Sequence, residues 1–234
     1  GRPILWHVMR IFSAHNLNRF ILTLGHGQDQ IRRYFMEYES MTRDMTLHLG
    51  KPDLSRPEVE FYGRPSHPVW EISLVDTGLR TEKASRIGRV ANYIRADRFF
   101  VAYGDDVSDV NLTELVRFHK THGKMATITA VQTTLQYGVV EATADGLVTG
   151  FSERPQLPYW INGGFMLFER EVLDLIGSGD DVNLETQILP RLAEQGQLMI
   201  YRHTGFWQSM NTMKDTMLLE EIWQKNPPWK VWED

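Results

Sequence analysis

The chain has 234 residues, 42% of them apolar, and a formal net charge of −5; it is long enough for one full core and too apolar for a disordered tail. The acidic balance, with no basic stripe, disfavours nucleic acid as a general partner. Cys is absent, which excludes disulfides and thiolate metal sites and fits a cytoplasmic location, and no apolar run is long enough to span a membrane.

The chain opens Gly1-Arg2-Pro3-Ile4 without an initiator Met and is expected to start at an interior point of a longer protein. A helix follows Pro3, a good first-turn residue, because Ile4, Leu5, Val8, Met9 and Phe12 recur at helical spacing. Phe20 to Leu24 reads as a buried strand, stopped by Gly25-His26-Gly27, and Gln30 to Tyr38 as a helix. Met41 to Pro68 is polar and broken by Pro52, Pro57, Gly63, Pro65 and Pro68. It is expected to be an excursion with one short strand near Met45 to Leu49. Trp70 to Val75 alternates and stops at Asp76-Thr77-Gly78, and Lys83 to Ile94 reads as a helix.

The stretch from Phe99 to Val110 carries the most chemistry. Phe99 to Tyr103 is an apolar run short enough to be a strand buried on both faces. Gly104 lets the backbone turn, and Asp105, Asp106 and Asp109 follow. Asn111 then offers an N-cap for a helix with Leu112, Leu115, Val116 and Phe118 on its stripe. A strand, an acidic turn and a helix form a common ligand-binding unit at the carboxyl ends of parallel strands. Carboxylates there suit a hard cation and the phosphates it carries. The alternative is a solvated acidic turn.

After Gly123, Met125 to Val131 is β-rich, and Tyr137 to Ala142 with Leu147 to Ser152 predicts a hairpin. Trp160 to Phe168 is an apolar strand interrupted by Gly163-Gly164. Helices are predicted near Glu171 to Leu175 and Leu184 to Glu194, a strand at Leu198 to Tyr201, and a closing helix at Asp215 to Gln224. Helices alternating with buried strands, then hairpins, predict an α/β fold: a mostly parallel doubly wound sheet with added antiparallel strands. The strand ending at Tyr103 is expected near its centre. Phe20, Ile21, Leu22, Phe99, Phe100, Val101, Ile128 and Phe165 are expected in the core.

Several stretches together resemble the glucose-1-phosphate cytidylyltransferases, a branch of the sugar-1-phosphate nucleotidyltransferases. They include Gly1 to Met9, Val75-Asp76-Thr77-Gly78, Tyr103 to Val110, Phe118 to Lys124, Trp160 to Phe165, Gly205-Phe206-Trp207-Gln208 and Pro228 to Trp232. The resemblance runs in family order along the chain. It implies a Rossmann-like three-layer fold over residues 1–234 as a single domain, and transfer from CTP to glucose 1-phosphate with Mg²⁺, giving CDP-glucose and pyrophosphate. It also implies a homo-oligomer. By the resemblance, Asp105 is a metal carboxylate and Asn211 stands at the second metal position. Gly104 and Arg86 lie on the nucleotide side. Tyr137, Gly138, Glu153, Asn162, Gly163 and Glu185 bind the sugar. Arg154 is the cation on the sugar phosphate, and Asp105 and Arg154 are the catalytic pair. Glu153–Arg154 could equally be a surface ion pair, and Glu185 a helix-surface charge.

The chain departs from the family pattern at the site. The family's N-terminal strand and glycine-rich nucleotide loop are not in this sequence; the strand is expected in the intact protein, and a glycine-rich run upstream of Gly1 would favour the catalytic reading, its absence a binding protein. Asp106 replaces a Gly, Asn211 replaces an Asp, Arg154 replaces a Lys and Gln187 an acid, and Lys83-Ala84-Ser85 replaces Thr-Gly-Gly before Arg86. Other readings stay open. The chain could be a relative with an altered base or sugar, a weakened nucleotide-sugar-binding homologue, or a glycosyltransferase using an acidic turn on a metal diphosphate. The Trp residues are expected in the core rather than as stacking platforms.

Overall fold

The computed structural model describes residues 2–49, 58–63, 69–135, 137–177, 179 and 181–233. Gly1 and, in the expected excursion, Pro52, Pro57, Pro65 and Pro68 lie outside these residues. Helix α1 (Ile4–Ala14) follows Pro3, whose fixed φ suits a helix start. Then come strand β1 (Arg19–Leu24) and helices α2 (Gln28–Met36) and α3 (Tyr38–Thr42). Strands β2 (Met45–His48) and β3 (Glu58–Phe61) pair antiparallel; β3 is too short to stand out in the sequence. Strand β4 (Glu71–Asp76) lies parallel to β1, from Arg19↔Glu71 to Leu24↔Asp76. Helix α4 (Lys83–Arg89) stops earlier than expected, and a 3₁₀ turn covers Ala91–Tyr93.

Strand β5 (Arg98–Val101) and a short strand β6 (Asp106–Ser108) flank Gly104-Asp105. Helix α5 (Leu112–His122) is capped by Asn111, whose side chain accepts from Glu114 N at 3.1 Å. Strand β7 (Ala126–Val131), the hairpin β8 (Val139–Ala142) and β9 (Val148–Ser152), and strands β10 (Ile161–Asn162) and β11 (Met166–Glu169) follow. Helix α6 (Val172–Ile176), a π-helical turn at Leu184–Ile188, α7 (Leu189–Glu194), β12 (Leu198–Arg202), β13 (Trp207–Ser209) and α8 (Met213–Lys225) complete the chain.

The largest sheet is mixed rather than mostly parallel. Strand β12 runs parallel to β7, whereas β10 and β11 both run antiparallel to β7, and β11 antiparallel to β5. β10 and β11 are one pass along β7, and the register slips between Asn162 and Leu167. That slip is a bulge at Gly163-Gly164-Phe165, with Gly164 at φ 71° and Phe165 at φ 43°. Along β11 the side chains alternate. Leu167 joins α1, β6, α5 and α8 in one core, while Met166 and Phe168 join α4, α6 and α7 in another. A sheet between two helix layers is the expected three-layer α/β arrangement.

Strand β5 is not central among the described residues. It pairs with β11 on one side only, and Phe99, Phe100 and Val101 are half-buried, as are Phe20, Ile21, Leu22 and Ile128; Phe165 is fully buried. The half-buried residues of β1 and β5 line a cavity of about 560 Å³, with apolar side chains of α1 such as Leu5, Val8 and Met9; Ile128 is not part of it. The C-terminal Trp229 and Trp232 pack on their own chain, in the core with α1 and α8. No helix among the described residues is long and apolar enough to cross a membrane.

Candidate active site

The acidic stretch is not a free turn. Asp106 starts β6, which pairs antiparallel with β13 in the register Asp106↔Ser209 and Val107↔Gln208. Met210 N then donates to Asp105 O at 2.9 Å. This backbone pairing brings Asp105 and Asn211, far apart in sequence, to one strand end. Asn211 Nδ2 donates to Ser209 Oγ at 3.0 Å, which turns its Oδ1 away from Ser209. Thr212 and Asp215 form a capping box behind it at the start of α8. A carboxylate and an amide oxygen are hard donors and fit Mg²⁺, which takes few protein ligands and keeps phosphates and waters for the rest.

Successive side chains of an extended segment point apart. Asp105 is half-buried, and Asp106 turns inward and is only 4% exposed. Burial raises the Asp106 carboxyl to about 6; a hydrogen bond from Ser209 opposes this, and the charge of Asp105 adds to it. Its position is also fixed by the bulge: a side chain on Gly164 would meet Tyr103 Cδ2 at 3.1 Å and Asp106 Oδ2 at 3.2 Å.

Tyr103 links the acidic end to the bulge and to the π-helical turn. Its hydroxyl donates to Glu185 Oε1 at 2.5 Å and accepts from Asn162 Nδ2 at 3.2 Å. Asn162 Oδ1 in turn accepts from Gly164 N at 3.0 Å. Burial, together with the bond to Glu185, raises the Tyr103 phenol, so it is a neutral donor. Lys83 Nζ also reaches Glu185 Oε1, at 2.6 Å, and lies 4.6 Å from the centre of the Tyr103 ring. Of the expected sugar-side residues, Asn162 and Glu185 thus meet in one network, with Gly163 in the adjoining bulge.

The others stand elsewhere. Tyr137, Gly138, Glu153 and Arg154 belong to the β8–β9 hairpin and its flanks. Tyr137 is 78% exposed. A side chain on Gly138 would come within 3.0 Å of Glu153 Oε2. Arg154, at φ 48°, is 3.6 Å from Glu153, and both side chains are exposed. Among the described residues, no hydrogen bond or ion pair joins Glu153 or Arg154 to the Tyr103–Glu185 network. Arg86 is bonded within the chain. It donates to Thr77 Oγ1 at 2.7 Å, Leu24 O at 3.1 Å and Leu79 O at 3.3 Å, which ties the carboxyl ends of β1 and β4 together.

Sequence reasoning noted Lys83 only as a departure and gave Tyr103 and Ser209 no role. Lys83 meets Glu185 across the fold, so no periodicity announces the pair. Tyr103 could be read as an apolar strand end, and Ser209 gains meaning only from the β6–β13 register.

The nucleotidyl transferase family model matches residues 3–234. The chain is 39% identical over 236 residues to the glucose-1-phosphate cytidylyltransferase of Salmonella typhimurium, covering 100% of this chain and 89% of that one. It is 36% identical over 233 residues to a probable glucose-1-phosphate cytidylyltransferase of Bacillus subtilis, covering 99% and 89%. Among solved structures, HddC from Yersinia pseudotuberculosis, complexed with GMP-PN, matches with a TM-score of 0.67 at 16% identity, covering 95% of this chain and 86% of that one.

Proposed function

Because the chain belongs to the nucleotidyl transferase family, we propose that it transfers the cytidylyl group of CTP to glucose 1-phosphate. A phosphate oxygen of the sugar phosphate attacks the α-phosphorus of CTP. The bond to the β-phosphate bridging oxygen breaks, so CDP-glucose forms and pyrophosphate leaves. No bond to the protein forms, so rate enhancement comes from orientation and charge neutralisation. The observation that carries the reading is the meeting of Asp105 and Asn211 at one strand end, next to the Tyr103–Glu185–Asn162 group.

Asp105 and the Asn211 amide oxygen would hold Mg²⁺, which when bound neutralises phosphate charge. Glu185 and Asn162 accept from and donate to sugar hydroxyls, and the bulge at Gly163 lets the sugar approach backbone. Arg154, on its exposed hairpin, binds the sugar phosphate as a fork donor. Arg86 and Gly104 border the nucleotide. We read the cavity between β1 and β5 as the seat of one more strand, since it is apolar and flanked by two strands that do not pair with each other. A homo-oligomer is part of the same reading.

The test is pyrophosphate release from CTP, glucose 1-phosphate and MgCl₂, followed by ³¹P NMR, with UTP, GTP and mannose 1-phosphate in parallel. Release dependent on both substrates, and lost in Asp105→Asn, is expected. CDP-glucose binding with no release for any pair would mark a binding homologue and overturn the proposal.

A further inference from the structure

We propose that Lys83 is a positioning residue of the sugar site, holding the Glu185 carboxylate in the orientation that meets a sugar hydroxyl. This rests on reading Glu185 as a sugar-binding acid. Lys83 Nζ and Tyr103 Oη both reach Oε1, at 2.6 and 2.5 Å. Both bonds fall on Oε1, and a hydrogen bond from the Glu185 backbone N–H adds to the hold on the charged carboxylate. Lys83 also lies against the Tyr103 ring at 4.6 Å. One cation therefore restrains both members of the pair, and through Tyr103 and Asn162 it reaches the bulge at Gly164.

The contact differs from an ordinary surface pair. Most exposed ion pairs contribute little, because two long side chains must be ordered to make them. Here the backbones that carry the two groups are already tied. Ser85 N donates to Val182 O at 3.2 Å, Val182 N to Ser85 Oγ at 3.0 Å, and Asn183 Nδ2 to Glu82 Oε2 at 2.7 Å. Asn183 also caps the turn that carries Glu185. The first turn of α4 is thus fixed against the Glu185 segment, and less freedom remains for Lys83 to lose. By contrast, the Lys225–Glu221 pair lies within one helix and is largely exposed.

The charged and titratable groups facing Glu185 are Lys83 from α4 and Tyr103 from the end of β5; Glu82 is engaged by Asn183. Burial pushes the Glu185 carboxyl up, but the bonds from Lys83, Tyr103 and its own backbone N–H, with the Lys83 charge, outweigh it and hold it below the ordinary glutamate value. Removing the Lys83 charge therefore moves the Glu185 titration to higher pH.

Two measurements test this on Lys83→Met, Lys83→Arg, Glu185→Gln and the Lys83→Met/Glu185→Gln double variant. The first is the ¹³C NMR titration of the Glu185 side chain without ligand. The second is glucose 1-phosphate affinity by calorimetry. Lys83→Met is expected to raise the Glu185 midpoint and to weaken glucose 1-phosphate by roughly tenfold, the scale of one charge-assisted hydrogen bond reduced for exposure. Lys83→Arg restores most of the affinity, and Lys83→Met adds nothing once Glu185 is Gln. An unchanged Glu185 midpoint, or full additivity in the double variant, overturns the pairing. A midpoint that moves in a protein that does not bind glucose 1-phosphate overturns the sugar-site reading instead, and the positioning role with it.

Discussion

Replacing Asn211 with Asp perturbs the candidate cation site at one atom. Asn211 Nδ2 donates to Ser209 Oγ at 3.0 Å, and the Ser209 hydroxyl bonds the Asp106 carboxylate. A hydroxyl has one proton to give. With Asn at 211, that proton goes to Asp106, while the Ser209 oxygen accepts from the amide. With Asp at 211, the amide donor is gone, and two carboxylates compete for one proton beside Asp105. Losing the hydrogen bond costs about 0.5–1.5 kcal/mol, which lowers melting by about 1–6 °C for a chain of this size. A bound divalent ion reverses the sign. A divalent charge against one carboxylate at about 4 Å and an effective dielectric of about 20 gains about 8 kcal/mol before desolvation and the repulsion of Asp105 and Asp106. A net gain of about 1–2 kcal/mol, or roughly tenfold tighter Mg²⁺, is expected. Thermal melts in EDTA and in MgCl₂, and calorimetric titration of Mg²⁺ with and without CTP, measure both effects. Asn211→Asp should be less stable than wild type in EDTA and gain more from Mg²⁺. Equal behaviour of the two proteins, with Asp105→Asn binding Mg²⁺ as wild type does, would refute the placement of the cation.

Acid should destabilise the protein partly through His7, which is buried with Trp6, Trp223, Trp229 and Trp232 and accepts from Trp229 Nε1 at 3.4 Å. Burial lowers its pKa to about 4, with Glu220 opposing. A folded pKa below the unfolded one means that its contribution is complete above about pH 6.5 and is lost as pH falls toward 4, by up to about 3 kcal/mol. Urea midpoints against pH should flatten in His7→Phe, with the share of the other lowered histidines (15, 119 and 122) remaining; an unchanged slope counts against the assignment. Gly164→Ala should cost about 1–3 kcal/mol of unfolding free energy, since φ is 71° and the new carbon would crowd Tyr103 and Asp106. A wild-type urea midpoint would show that the bulge yields. Arg154→Ala should leave stability within about 0.5 kcal/mol, because the side chain is exposed, yet weaken glucose 1-phosphate by about 1.5–3 kcal/mol in calorimetry. Unchanged affinity removes Arg154 from the site.

Local pattern carried much of the fold. The Pro3 start of α1, the Asn111 cap of α5, the β8–β9 hairpin and the buried strand that became β11 follow from residue spacing and turn chemistry, because helix and strand periods are set by neighbours in sequence. The motifs from Tyr103 to Val110 and from Trp160 to Phe165 also pointed to the family before any coordinates. Long-range pairing was not legible. Val107 and Gln208 face each other only because β6 and β13 are paired, and a three-residue strand is too short for a period to appear. The same pairing turned an expected acidic turn into one half-buried and one buried carboxylate, Asp105 and Asp106. The register of β11 on β7 depended on a bulge at Gly163-Gly164, which the sequence marked as a break but not as a register slip. Lys83 on Glu185 is of the same kind. Sequence fixes which side chains can bond; the packing of α4 against the Glu185 turn decides that these two do, because only the folded chain brings their backbones within a side chain's reach.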